Sequence, residues 1–169
     1  TITKGCDIYT DSLIILLGDC GLGFNKLAYY NDVFNKLNDK LVKLNSSILM
    51  LRGNHDDPKY FNEEMINFSN IKSIPDYSVI ECMKSTILCV GGGLSVDRIW
   101  RKQYDEKRNL FVKGKENFKI SYWENELPVF NEDLLKELKD NKIKITTVAT
   151  HTAPSFFPLY NDYGLESWI

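Results

Sequence analysis

The chain has no apolar run approaching the roughly 20 residues that a membrane span needs, and nothing after Thr1 has the pattern of a signal peptide. A soluble, cytoplasmic protein with no membrane partner is the expectation. It also lacks an excess of charge of either sign. The 21 Lys and Arg against 23 Asp and Glu leave a net charge of −2, which excludes a globally basic nucleic-acid binder but not a local basic patch. The four cysteines, Cys6, Cys20, Cys82 and Cys89, include no Cys-x-x-Cys pair and no zinc-site spacing to a histidine. Cys82 and Cys89 fall in apolar, strand-like runs, so reduced thiols are expected rather than a disulfide framework. No G-x-G-x-x-G or Walker A loop occurs, which argues against a nucleotide-binding domain. GDCGLG (18–23) has the glycines, but Asp19 in that turn would repel a pyrophosphate unless a metal intervened. Histidine is scarce as well. There are only two, His55 and His151.

What is present suffices for one folded domain, 1–169, since 43% apolar residues can bury a real core. Ser12 to Leu17 (SLIILL) is a continuous apolar run too short for a helix, which predicts a strand buried on both faces. Leu27, Tyr30, Phe34, Leu37, Leu41 and Leu44 then recur at three- and four-residue steps, predicting a helix between Asn25 and Leu44. Ile48 to Leu51 predicts a second strand, and Pro58 fits the first turn of a second helix. Strands are expected at 71–74, 77–81 and 86–90, the last stopped by Gly91-Gly92-Gly93. The stretch 94–125 reads as loop with some helix. Asn131 reads as the N-cap of a helix to about Lys139, and the β-branched run 144–150 as a final strand. This alternation is that of an α/β domain.

Asp19, Asn54, His55 and His151 all follow directly on the carboxyl ends of predicted strands, the edge where open α/β sheets bind ligands. Together they suit phosphoryl chemistry. A carboxylate such as Asp19 can bridge two divalent ions, an Asn amide oxygen is a neutral hard ligand, and an imidazole such as His151 suits Zn, Fe or Mn. Two ions ~3.5–4 Å apart can hold both a nucleophilic hydroxide and the phosphate oxygens of an in-line displacement. His55 could protonate the leaving alkoxide, a role for a group that titrates near neutrality. On its own, Asp56 reads equally well as a turn or cap residue.

The strings GDCG (18–21), GNHD (53–56) and TH-x-x-P (150–154), in this order and each after a strand, resemble signature blocks of the calcineurin-like metallophosphoesterases. The triple glycine after Val90 and SYWENELP (121–128) resemble a bacterial and phage branch of that family. The resemblance implies a β-sandwich flanked by helices and a hydrolase acting on a phosphomonoester or phosphodiester with two divalent ions (Mn, Fe, Zn or Mg). It implies metal ligation by Asp19, Asn54 and His151, with His55 as general acid oriented by Asp56. It also implies a close approach of Gly91 to Gly93 to the site. Two blocks of the family depart. Asp7 is followed by Ile8 and Tyr9 rather than forming Asp-x-His, and no histidine follows His151 to form Gly-His-x-His. Leu22 and Phe24 replace the second Asp and the Arg of a GDxxDRG block. A domain incomplete at one or both ends is therefore expected, with Asp19, Asn54 and His151 serving mainly one ion.

Other readings stay open. A catalytically incomplete module could keep the fold for interaction. Between 98 and 123, basic residues (Arg98, Arg101, Lys102, Lys107, Arg108, Lys113, Lys115, Lys119) interleave with Trp100, Tyr104, Phe111, Phe118, Tyr122 and Trp123. Single-stranded nucleic acid could use that mixture, although Asp105, Glu106 and Glu116 dilute it and favour a solvated insertion packing its aromatics on the sheet.

Overall fold

A computed structural model describes residues 9–111 and 120–153. Strand β1 (Leu13–Leu17) is followed by helix α1 (Leu27–Lys43), strand β2 (Ser47–Leu51), helix α2 (Lys59–Asn62) and strands β3 (Ile71–Ser73), β4 (Ser78–Cys82) and β5 (Ser85–Val90). Helices α3 (Arg98–Phe111) and α4 (Glu132–Asp140) and strand β6 (Thr147–Thr150) complete the described elements. The strands form two three-stranded sheets. In the first, β1-β2-β3 are all parallel, in register from Leu13 opposite Ser47 to Leu17 opposite Leu51. In the second, β4 pairs antiparallel with β5 and β6 parallel with β5. The chain is a mixed α/β fold of two small sheets with helices.

Period-two alternation along β2 holds the layers together. Ile48 and Met50 face α1, where Tyr30, Phe34, Leu37 and Leu41 repeat at helical spacing and are buried in the same cluster with Phe61 and Ile71. Leu49 and Leu51 face the other way and pack with Ile80, Ile87, Cys89 and Ala149 of the second sheet. The two sheets thus meet face to face, with helix on the outer face of the first.

Three expectations change in detail. β1 is not buried on both faces: Ile14 and Leu16 lean on the α1 cluster, but the strand is half-buried and Leu17 is exposed, β1 being the edge of its sheet among the described residues. The helix after Pro58 is a single turn of four residues. The last strand is shorter than its β-branched run, beginning at Thr147. The charged stretch after Ser95 contains a helix of 14 residues, α3. Among its described side chains the buried ones are Arg101, ion-paired with Asp97 and Glu126, and Asp105, so the inner face is polar in place of the apolar stripe that marks most helices. Asp105 accepts from the backbone N–H groups of Ser121 and Tyr122 at 2.7 and 3.0 Å and from the Ser121 hydroxyl at 2.8 Å. As expected, Asn131 caps α4, its Oδ1 accepting from the Leu134 N–H at 3.1 Å. No helix among the described residues is long and apolar enough to cross a membrane.

Candidate metal centre

At the end of β1 the backbone turns sharply through two left-handed residues, Gly18 (φ 99°) and Asp19 (φ 52°). The turn lifts the Asp19 carboxylate over the loop that follows β2. The Cα of Gly53 lies so near that a Cβ there would strike the Asp19 carboxylate, and a Cβ on Gly18 would strike the His151 ring. The two glycines of GDCG and GNHD are thus required by close approach of backbone to functional side chain. The His55 N–H then donates to Asp19 Oδ1 at 3.1 Å, tying the two turns together.

Asp19, Asn54 and His151 converge. His151 Nε2 lies 2.7 Å from Asn54 Oδ1 and 3.5 Å from Asp19 Oδ1, although the two sheets supply them separately. The other ring nitrogen, Nδ1, is 2.6 Å from the Leu17 carbonyl, which can only accept, so the proton sits on Nδ1. In neutral His151 the Nε2 lone pair therefore points at the lone pairs of Asn54 and Asp19. With the Asn54 amide in this orientation, its Nδ2 on Ser95 Oγ, only a cation relieves this, either a second proton on the imidazole or a divalent ion. Two hard oxygens and one imidazole nitrogen are a donor set for Mn, Fe or Zn, so these residues fit such an ion. Among the described residues no cluster of three or more His, Cys, Asp or Glu side chains forms. This trio is held together by the amide of Asn54.

The neighbours have other tasks. Asp56 is fully buried, and its carboxylate accepts the N–H groups of Gly53 (2.8 Å), Leu22 (3.0 Å) and Cys20 (3.1 Å). Burial raises its pKa above the usual carboxylate range, against the pull of those amides. The Asp56 carboxylate faces these backbone amides and not the His55 ring. Asp56 instead staples the GDCG turn to the GNHD turn. The carboxylate facing His55 is Asp97, whose Oδ1 is 3.7 Å from His55 Nε2 and accepts from Arg101 Nε at 3.1 Å. Burial, with the charges of Asp56 and Asp19, pushes the Cys20 thiol far above its ordinary pKa, so it stays protonated beside the site.

Arg52 is structural. Its guanidinium grips Asp76 Oδ2 at 2.7 and 2.9 Å and the carbonyls of Asn125, Glu126 and Leu127 at 3.3, 3.0 and 2.9 Å. A cavity of about 260 Å³ beside that pair, bounded by Pro58, Tyr77, Asn125 and Val129, is lined by none of the five candidate residues. Gly93 packs against His151, Thr152 and Asn54, giving the close approach expected of the triple glycine. Residues Ser95, Asp97, Arg101 and Glu126 border the site and were not singled out as site residues from sequence. The one signal was SYWENELP, which contains Glu126. Asp7, Pro154 and the basic-aromatic residues Lys113, Lys115, Phe118 and Lys119 lie outside the described residues, as do Cys6 and the side chain of Phe111.

The calcineurin-like phosphoesterase family matches the chain over residues 3–168. The chain belongs to this family. No curated protein and no solved structure matches it closely enough for comparison. For a calcineurin-like phosphoesterase, membership points to hydrolysis of a phosphate ester that depends on divalent metal ions. The same convergence of lone pairs at Asp19, Asn54 and His151 fits that dependence.

Proposed function

We propose that the chain is a hydrolase that cleaves a phosphomonoester or phosphodiester by a two-metal mechanism, with Asp19, Asn54 and His151 holding one ion and Asp19 shared with the second. The observation that carries this reading is the meeting of three proton-free donor atoms on Asp19, Asn54 and His151. When bound, divalent ions supply Lewis-acid polarisation of the phosphate and an activated water. His55, half-exposed at the rim, protonates the leaving oxygen, with Asp97 facing its ring. Asp56 acts on catalysis indirectly, by holding Gly53 and Cys20 so that Asp19 and Asn54 keep their spacing. Mn, Fe or Zn suits the imidazole with the two oxygens, and Mg suits the oxygens alone; a cytoplasmic setting is part of the same proposal.

The test compares wild type with His55→Ala on alkyl and activated aryl phosphate esters in the presence of Mn²⁺. Alkyl ester turnover is expected to fall by about 10²–10⁴-fold, aryl ester turnover much less, and Mn²⁺ affinity not at all. Equal loss on both esters, or loss of Mn²⁺ binding, counts against the acid role.

A second reading is a non-catalytic module that binds single-stranded nucleic acid. One observation favours it: Trp100 and Tyr104 stack on the exposed face of α3, centroids 5.3 Å apart, on a helix that also exposes Arg98 and Lys107. Arg101 and Trp123 are buried and unavailable to such a partner. An oligonucleotide titration that leaves the tryptophan fluorescence unchanged removes this reading.

A further inference from the structure

We propose that Ser95 is a positioning residue that decides which end of the Asn54 amide faces the cation site, with Glu126 and Arg101 setting the polarity of Ser95. The inference rests on the reading of Asn54 as a cation ligand. An Asn side chain is nearly symmetric in shape but not in chemistry. Only Oδ1 can ligate a cation, and a half-turn of the amide would aim two N–H protons at the ion instead. Packing discriminates weakly between the two orientations, so hydrogen-bond partners must do it.

The partner on the far side is Ser95 Oγ, 2.6 Å from Asn54 Nδ2. Alone, a serine hydroxyl decides nothing, because it can donate or accept with equal ease. Here its single proton is already committed. Glu126 Oε2 lies 2.7 Å from Ser95 Oγ, while Glu126 Oε1 accepts the Ser95 N–H at 3.1 Å. An ionised carboxylate only accepts. Ser95 Oγ therefore offers Asn54 lone pairs alone, and the amide must turn its NH₂ outward and its oxygen toward His151 and Asp19.

Glu126 is ion-paired with Arg101, whose Nη2 donates to Oε2 at 2.8 Å and also contacts Ser95 Oγ. Arg101 is anchored in turn through Nη1 to the Ser121 carbonyl at 2.7 Å and through Nε to Asp97. Ser95, Arg101 and Glu126 are 4%, 4% and 1% exposed, so water cannot scramble the direction of the chain. A buried Arg–Glu pair often contributes no more stability than an apolar pair of the same size. Its distinctive property here is polarity. Guanidinium, carboxylate, hydroxyl and amide are aligned so that an oxygen emerges at the site.

The test is Mn²⁺ binding by calorimetry on the full chain, with thermal unfolding as a folding control, and the side-chain NH₂ resonances of Asn54 in the metal-free protein. Ser95→Ala is expected to weaken Mn²⁺ binding by about 10–100-fold, and Ser95→Thr to restore it. Adding Ser95→Ala to Asn54→Ala should cost nothing further. In the metal-free protein Ser95→Ala should move the Asn54 NH₂ resonances toward those of a solvated amide. Glu126→Gln, which replaces one of the two acceptor oxygens facing Ser95 with an NH₂ donor, should shift the same resonances without altering Ser95. Unchanged Asn54 resonances in both variants overturn the inference, as does an undiminished Mn²⁺ affinity in Ser95→Ala. If Asn54→Ala weakens binding while Ser95→Ala does not, the inference alone fails. If wild type binds no Mn²⁺, or Asn54→Ala binds it equally, the ligand reading falls and takes the inference with it.

Discussion

The two sheets bring side chains to the same site by different means. The parallel sheet delivers Asp19 and Asn54 from the ends of strands backed by a dense cluster of Leu22, Leu41, Ile48, Met50, Phe61 and Ile71. The mixed sheet delivers His151 from β6, a strand with no fully buried residue, whose Val148 is 59% exposed. Packing therefore sets the positions of Asp19 and Asn54, reinforced by the Asp56 staple. His151 is set by its Nδ1–H hydrogen bond to the Leu17 carbonyl, which leaves Nε2 facing Asn54 Oδ1 at 2.7 Å. A site assembled this way keeps two candidate ligands rigid and docks the third by its own polar contacts, which couples His151 to whatever orients Asn54.

Substitutions on the two sides should separate the means. On the parallel-sheet side, Phe61→Ala empties a fully buried position and should cost about 3–5 kcal/mol in denaturant unfolding. A cost below 1 kcal/mol would show that this cluster does not carry the first sheet. Asp56→Asn is expected to cost about 2–4 kcal/mol, because an amide cannot accept all three N–H groups that the carboxylate holds. The same variant should weaken Mn²⁺ binding although Asp56 touches none of the donor atoms. Full stability with full Mn²⁺ affinity would mean the staple is dispensable. On the other side, Val148→Thr should change stability by no more than about 0.5 kcal/mol. A larger loss would mean that β6 is held by packing after all, and the contrast between the sheets would disappear.

Much of this was legible in the chain. The 3.6-residue recurrence from Leu27 to Leu41 and the short apolar runs before Asp19 and Asn54 encode burial directly, and burial is what builds α1, β1 and β2. Asn131 was legible because a cap acts on its own next few residues. The bounds of α3 were not, since the buried side chains described on it are Arg101 and Asp105, and a polar inner face has no apolar period to read. The part taken by Asp56 was illegible for a related reason. Its partners are backbone amides at Cys20 and Leu22, and backbone groups leave no mark on residue identity. Ser95 and Glu126 meet across 31 positions, a pairing that only the folded chain creates.

The most direct measurement is Mn²⁺ binding by titration calorimetry to wild type, Asn54→Ala and His151→Ala, with thermal unfolding showing that all three are folded. The structure predicts that wild type binds the ion and that each substitution weakens binding by more than about tenfold. Binding by either variant with wild-type affinity, or none by the folded wild type, would contradict the assignment of Asp19, Asn54 and His151 as a metal site.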